Sequence, residues 1–214
     1  MHSQAVEFTV GEDYLEGILT TPNSSFNNIA LLLHPHPLYG GSRDDRVIRF
    51  AEDILLNLGF ATFRFNFRGV DSRTNYRGFS GAMQDAIAAS KALLDKTKKD
   101  SIAIVGYSFG GSVALHLASS AKADFLVTFS ASLSLAKEDG KGLKPLSSIQ
   151  CPVLMFHGSN DNMVPFDDML ILAKNLGRRD VLTVALEGEG HFYLKHLSTV
   201  EIYLHEFLKQ TMES

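Results

Sequence analysis

The sequence predicts an α/β fold: a mostly parallel sheet with helices on both faces, led by an N-terminal antiparallel hairpin. Three observations predict it. Short apolar runs of strand length alternate with longer segments of helical period. Several runs, including Ile29 to Leu33 and Ile102 to Val105, are apolar at every position, as in strands that helices bury on both faces. The N-terminal stretch is different: two β-rich segments flank Gly11-Glu12-Asp13, which is the composition of a hairpin turn.

Taken in order, residues 4–10 and 14–21 form the hairpin, and residues 29–34 the first buried strand. Residues 42–58 place Val47, Phe50, Ala51, Ile54 and Leu58 at helical spacing, with Ser42 as cap and Gly59 as stop. Residues 60–67 are strand, and a polar loop rich in Gly and Arg leads into a helix from about 81 to 98. Strand 101–106 and helix 112–121 follow. Segments 125–130, 153–157 and 181–186 are strands, and 167–176 and 199–212 helices. The longest stretch without an element is 131–150. Its polar run Lys137, Glu138, Asp139, Gly140, Lys141 and Gly142 is too short and too polar for a cap, so one domain over 1–214 without a cap domain is expected.

With 214 residues, the chain can bury one large core. A formal net charge of −4 offers no basic footprint for nucleic acid or for a membrane surface. No apolar run approaches the length of a bilayer span, and no basic segment precedes an apolar one near the N-terminus, so a cytoplasmic location is expected. The lone Cys151 rules out an intrachain disulfide. The oligomeric state stays open.

The chemistry concentrates in three loops. Gly106-Tyr107-Ser108-Phe109-Gly110 matches Gly-x-Ser-x-Gly, between an apolar strand and a helix. A serine there sits on a sharp turn, and glycines on either side let strand and helix approach with Ser108 exposed at the strand end. A serine hydroxyl needs a histidine to take its proton and a carboxylate to orient that histidine. Asp161 follows the strand at 153–157, and His191 follows the strand at 181–186, in the chain order acid then histidine. Asp124, Asp167 and Asp168 are rival acids. His116, His196 and His205 read as packing or solvated residues. The helix N-terminus behind Ser108 offers its Phe109 N–H to an oxyanion. The loop after His34 offers a second donor. Pro35 and Pro37 have no N–H, which leaves His36, Leu38 or a neighbour, with His36 preferred. Leu38, Tyr39 and Tyr107 are the expected substrate-binding residues. His34 and His36 have no third ligand at matching spacing for a metal.

Together, His-Pro-His-Pro-Leu-Tyr-Gly-Gly-Ser at 34–42, Phe-Asn-Phe-Arg-Gly-Val at 65–70, Gly-Tyr-Ser-Phe-Gly-Gly at 106–111, His-Gly-Ser-Asn-Asp at 157–161 and Gly-His-Phe at 190–192 resemble the α/β-hydrolase superfamily. Within it they resemble the small lidless hydrolases akin to dienelactone hydrolase. The resemblance implies Ser108, Asp161 and His191 as a catalytic triad and Phe109 with the 34–42 loop as oxyanion hole. It also implies a small ester-like substrate and no metal or organic cofactor. Thioester, lactone or peptide hydrolysis on the same triad, or binding without turnover, are the alternatives. Two departures stand out. Asp71-Ser72-Arg73 replaces the usual Gly-x-Ser after Phe-Arg-Gly-Val, which would reshape the pocket rim. Dienelactone hydrolases proper use an elbow cysteine, whereas here Cys151 lies elsewhere in the chain.

Overall fold

In the computed structural model, residues 1–137, 145–178 and 180–212 are described. The polar run 138–144 weighed above against a cap lies outside them, as does the Lys137 side chain. The strands are β1 (His2–Val10), β2 (Asp13–Thr21), β3 (Ile29–Leu33), β4 (Ala61–Phe65), β5 (Ile102–Tyr107), β6 (Ala123–Phe129), β7 (Val153–Gly158) and β8 (Val181–Leu186). The α-helices are α1 (Arg46–Asn57), α2 (Gly78–Thr97), α3 (Phe109–Ala118), α4 (Leu133–Lys137), α5 (Asp167–Leu176) and α6 (Leu197–Met212).

The strands form one sheet in the order β1-β2-β4-β3-β5-β6-β7-β8. Only the β1/β2 and β2/β4 pairs are antiparallel; β4 through β8 run parallel. The central strands bury alternate residues in two cores, which follows from the period of two along a strand. Leu31, Leu33, Ile102 and Ile104 pack on the side of α2, α3 and α5. Ala30, Leu32, Ala103 and Val105 pack on the side of α1 and α6. The chain moves from β3 outward to β4, then returns across β3 to β5. Loops after β3 and β5 therefore part at the carboxyl edge, and such a reversal opens a crevice there.

Several boundaries differ from the sequence expectation. The first helix begins at Arg46, and its cap is Asp45 instead of Ser42: the Asp45 carboxylate accepts from Val47 N–H at 2.8 Å and Ile48 N–H at 3.4 Å. Gly59 does end that helix, with φ 84°. The helix after the Gly-x-Ser-x-Gly turn starts at Phe109, not near residue 112, because the turn is tight enough for helical bonding to begin immediately after Ser108. Within 131–150, expected to lack elements, α4 forms and is tethered to α5, where Leu133 N–H donates to Asp168 Oδ2 at 2.7 Å. No helix among the described residues is long and apolar enough to cross a membrane.

Candidate active site

Ser108 follows β5 with φ 54° and ψ −117°, a conformation that L residues rarely adopt. Its neighbours explain why it persists. A Cβ on Gly106 would lie 2.3 Å from the Gly110 carbonyl oxygen, and one on Gly110 would lie 2.1 Å from that of Leu33. The turn is thus pressed against β3 and the start of α3 by bare backbone. Ser108 N–H is fixed in turn by the Phe129 carbonyl at 2.7 Å.

His191 and Asp161 come to this serine from loops after β8 and β7. Ser108 Oγ lies 3.0 Å from His191 Nε2, and His191 Nδ1 lies 2.7 Å from Asp161 Oδ2. A carboxylate only accepts, so the proton sits on Nδ1, and Nε2 is left as acceptor for the serine hydroxyl. The Asp161 side chain is fully buried. Its Oδ1 accepts the N–H groups of Met163 and Val164, each at 2.9 Å. Burial alone would raise the pKa of Asp161, but hydrogen bonds from His157, His191 and Val164 outweigh it and hold the carboxyl well below the usual carboxylate range. Three of the rival groups are engaged elsewhere: Asp168 caps α4, His116 Nε2 bonds the Ala136 carbonyl at 2.7 Å, and His205 faces Glu201.

The loop after β3 closes the other side. His34 is fully buried, with Nδ1–H donating to the Pro35 carbonyl at 2.6 Å and Nε2 accepting from Phe67 N–H at 2.9 Å. Both ring nitrogens are committed to backbone, and burial pushes this imidazole down to about 4. A tight turn at Pro37–Tyr39 follows. Leu38 N–H donates to His36 Nδ1 at 3.2 Å, and the N–H groups of Tyr39 and Gly41 both donate to the His36 carbonyl at 3.1 Å. The His36 ring rests 4.7 Å from Phe109, 4.8 Å from Tyr39 and 4.9 Å from Tyr76. Tyr76 is an aromatic neighbour that sequence reasoning missed, because it belongs to the irregular loop before α2.

Of the expected substrate-binding residues, Leu38 and Tyr39 are exposed, at 59% and 82%. Tyr107 corrects the expectation. It points away from the crevice into the α1/α6 core at 2% exposure, and its hydroxyl donates to the His191 carbonyl at 2.8 Å. Strand alternation sends its side chain to the opposite face from a residue one place earlier or later. It therefore holds the histidine loop and leaves no surface for a substrate. Asp71 and Arg73 pair with each other at the surface at 2.8 Å. Cys151 precedes β7 at the sheet edge opposite Ser108, and burial pushes its thiol up to about 11.

Glu189 is the second residue that sequence reasoning missed. Only 1% exposed, its Oε1 accepts from the N–H groups of Gly190 and Leu194 at 2.9 and 3.0 Å. Oε2 accepts from the N–H groups of Lys195 and His196 at 2.8 and 2.7 Å and from His196 Nδ1 at 3.1 Å. The loop carrying His191 is thus wrapped round one carboxylate at the N-terminus of α6, where the helix dipole favours negative charge. Arg46 adds a clamp from α1, with Nη2 donating to the carbonyls of Phe192 and Tyr193. The signal was unreadable in advance because four of the donors that hold Glu189 are backbone groups, present at nearly every residue.

A family model described as an alpha/beta hydrolase domain matches residues 29–210. The chain belongs to the alpha/beta hydrolase family. This hydrolase is 31% identical over 198 residues to uncharacterized protein RP471 of Rickettsia prowazekii, covering 88% of this chain and 81% of that one. Among solved structures, it superposes with a TM-score of 0.83 on an alpha-beta serine hydrolase homologue from Coxiella burnetii, at 25% identity over 96% of this chain and 97% of that one. The same score is reached with XC6422 of Xanthomonas campestris, described as an a/b serine hydrolase without lid, at 21% identity over 98% and 95% of the two chains. The family and these neighbours support hydrolase activity.

Proposed function

We propose that this hydrolase cleaves small carboxylic esters through an acyl-enzyme on Ser108. The observation that carries the reading is the unbroken hydrogen-bonded chain Ser108–His191–Asp161, at 3.0 and 2.7 Å, built on a serine held at positive φ. His191 takes the hydroxyl proton as Ser108 Oγ attacks the acyl carbon, and Asp161 stabilises the imidazolium that forms. The oxyanion develops at the N-terminus of α3, facing Phe109 N–H, one of the first-turn groups with no intrahelical acceptor. For the second donor we take His36 N–H, from the loop after β3 that lies against Phe109. His191 then returns the proton to the departing alcohol, and the same base activates water against the acyl-enzyme.

Leu38, Tyr39 and Phe192 project into solvent from the two loops flanking the serine. Apolar groups of a substrate would lie across them, not inside a covered pocket. An open site cannot fully bury a long chain, and each methylene left in water forgoes about 0.8 kcal/mol. Preference is therefore expected for short acyl groups, roughly two to four carbons on that estimate.

The test combines a fluorophosphonate probe with p-nitrophenyl acetate, butyrate, octanoate and palmitate. Ser108 should take the label, turnover should peak at acetate or butyrate, and Ser108→Ala should lose about 10⁴- to 10⁶-fold in kcat. Label on another residue, or an active alanine variant, refutes the nucleophile. A peak at octanoate or beyond refutes the open-site reading of the substrate.

A further inference from the structure

His157 is a second histidine at the acid, and no step above uses it. It is the penultimate residue of β7, with its side chain fully buried. Its Nε2 is 3.1 Å from the Val164 carbonyl and 3.4 Å from Asp161 Oδ2. Its Nδ1 is buried and has no hydrogen-bond partner among the described residues. Phe166 packs edge-on 5.9 Å away.

These contacts fix the tautomer. A carbonyl and a carboxylate can only accept, so the nitrogen facing both must carry the hydrogen. The alternative would aim a lone pair at two oxygens and bury an N–H with nothing to receive it, which is unfavourable on both counts. The Nε2–H therefore bridges the two acceptors, its nearer branch on Val164 and its longer one on Asp161. Val164 closes the ring, since its own N–H donates to Asp161 Oδ1. Oδ2 thus faces N–H groups from both histidines, with His191 at the shorter distance.

We infer that His157 is a positioning residue that sets how strongly Asp161 holds the His191 proton. The inference rests on the triad proposed above. Each N–H aimed at a carboxylate oxygen disperses its negative charge and weakens its attraction for an imidazolium. With His157 in place, Asp161 orients His191 without over-stabilising its charged form. The carboxylate's depressed pKa, to which His157 contributes, is in keeping with this. Other charged and titratable groups also face this centre: Asp45 and Arg46 from the start of α1, Tyr107 from β5, and Tyr193 from the histidine loop. None of them changes in the experiment below.

The experiment follows histidine ring signals by NMR in the ¹⁵N-labelled full chain, for wild type, His157→Gln and His157→Leu. The wild-type His157 ring should carry its hydrogen on Nε2. In His157→Leu the midpoint of the His191 titration should move upward, because one N–H has been withdrawn from the carboxylate. His157→Gln, whose amide nitrogen can occupy the Nε2 position, should stay near wild type, and the acid limb of kcat/KM on p-nitrophenyl acetate should follow the same pattern. A hydrogen found on Nδ1, an unmoved titration in the leucine variant, or equal shifts in both variants would overturn the inference. Should the leucine variant fail to fold, the wild-type tautomer decides alone. The ring signals need no substrate, so failure of the ester-hydrolase reading would appear separately, as absent turnover and labelling.

Discussion

Ser108 and His191 meet within 3.0 Å, yet the loops that carry them are held by different means. The serine turn is braced by backbone against backbone. Gly106 faces the Gly110 carbonyl and the Ala114 methyl, and Gly110 faces the carbonyls of Leu33 and His34. The histidine loop is braced largely by side chains, from within it and from elsewhere. Glu189 gathers the N–H groups of its own loop, Tyr107 reaches from β5 to the His191 carbonyl, and Arg46 reaches from α1 to those of Phe192 and Tyr193. The histidine loop does touch bare backbone, for a Cβ on Gly158 would lie 2.4 Å from the Glu189 carbonyl oxygen, but a Cβ on its own Gly188 would meet nothing within 4 Å. A backbone brace has no slack, so it should fail as a unit. A brace of several side chains should weaken in steps.

The largest effect should come from the rigid side. Gly110→Ala places its methyl carbon 2.1 Å from the Leu33 carbonyl oxygen, where neither partner can turn away. We expect a loss of about 3 kcal/mol or more in urea unfolding, or no folded protein at all. An alanine variant within 1 kcal/mol of wild type would break the comparison.

His34 follows directly on the strand behind that turn, and its titration gives the next effect. The unfolded chain protonates this imidazole near 6.5, while in the folded protein burial delays protonation to about 4. The unfolded state therefore binds the extra proton first. Its contribution to stability is complete above pH 6.5 and falls by roughly 3 kcal/mol as the pH drops to 4. Unfolding free energies measured at intervals from pH 7 to 4 should decline accordingly, and His34→Gln, though less stable at pH 7, should decline less. Parallel curves for the two proteins would contradict the assignment.

On the adaptable side, Glu189→Gln should fold yet turn over poorly. Both oxygens already receive N–H donors, so whichever way the amide points, its NH₂ faces donors. One buried donor pair set against it costs about 1–3 kcal/mol, which translates into a kcat lower by about 10- to 100-fold with KM little changed. Wild-type kcat in a folded variant would show that the loop needs no such anchor. Tyr107→Phe removes a single donor from the His191 carbonyl. About 1 kcal/mol, or a several-fold lower kcat, is the smallest effect expected, and a loss as large as that of Glu189→Gln would mean the side-chain brace also acts all at once.

The two braces also explain which parts of the molecule could be read in advance. Alternating apolar runs specify the sheet and its covering helices because burial is a local property of each run, and β3, β5 and β7 emerged close to their expected limits. The serine turn was legible because its requirement falls on residues within five positions, Gly106 to Gly110, where only glycine fits. The limits of α1 and α3 were less so. Asp45 displaced Ser42 as cap through a contact that depends on where the loop after β3 comes to rest.

What the sequence by itself determined, then, was the order of strands and helices, the turn that exposes Ser108, and the loops bearing Asp161 and His191. Those features depend on residue type and near spacing. Only the tertiary structure decided that Tyr107 faces the core and holds the histidine loop, that Glu189 organises that loop, and that His157 shares the acid. Tyr107 and Arg46 bond to backbone carbonyls 84 and 146 residues away, and Glu189 to backbone N–H groups. Backbone groups carry no residue identity, so a chain's letters cannot announce which of them a buried side chain will find; folding alone brings them within reach.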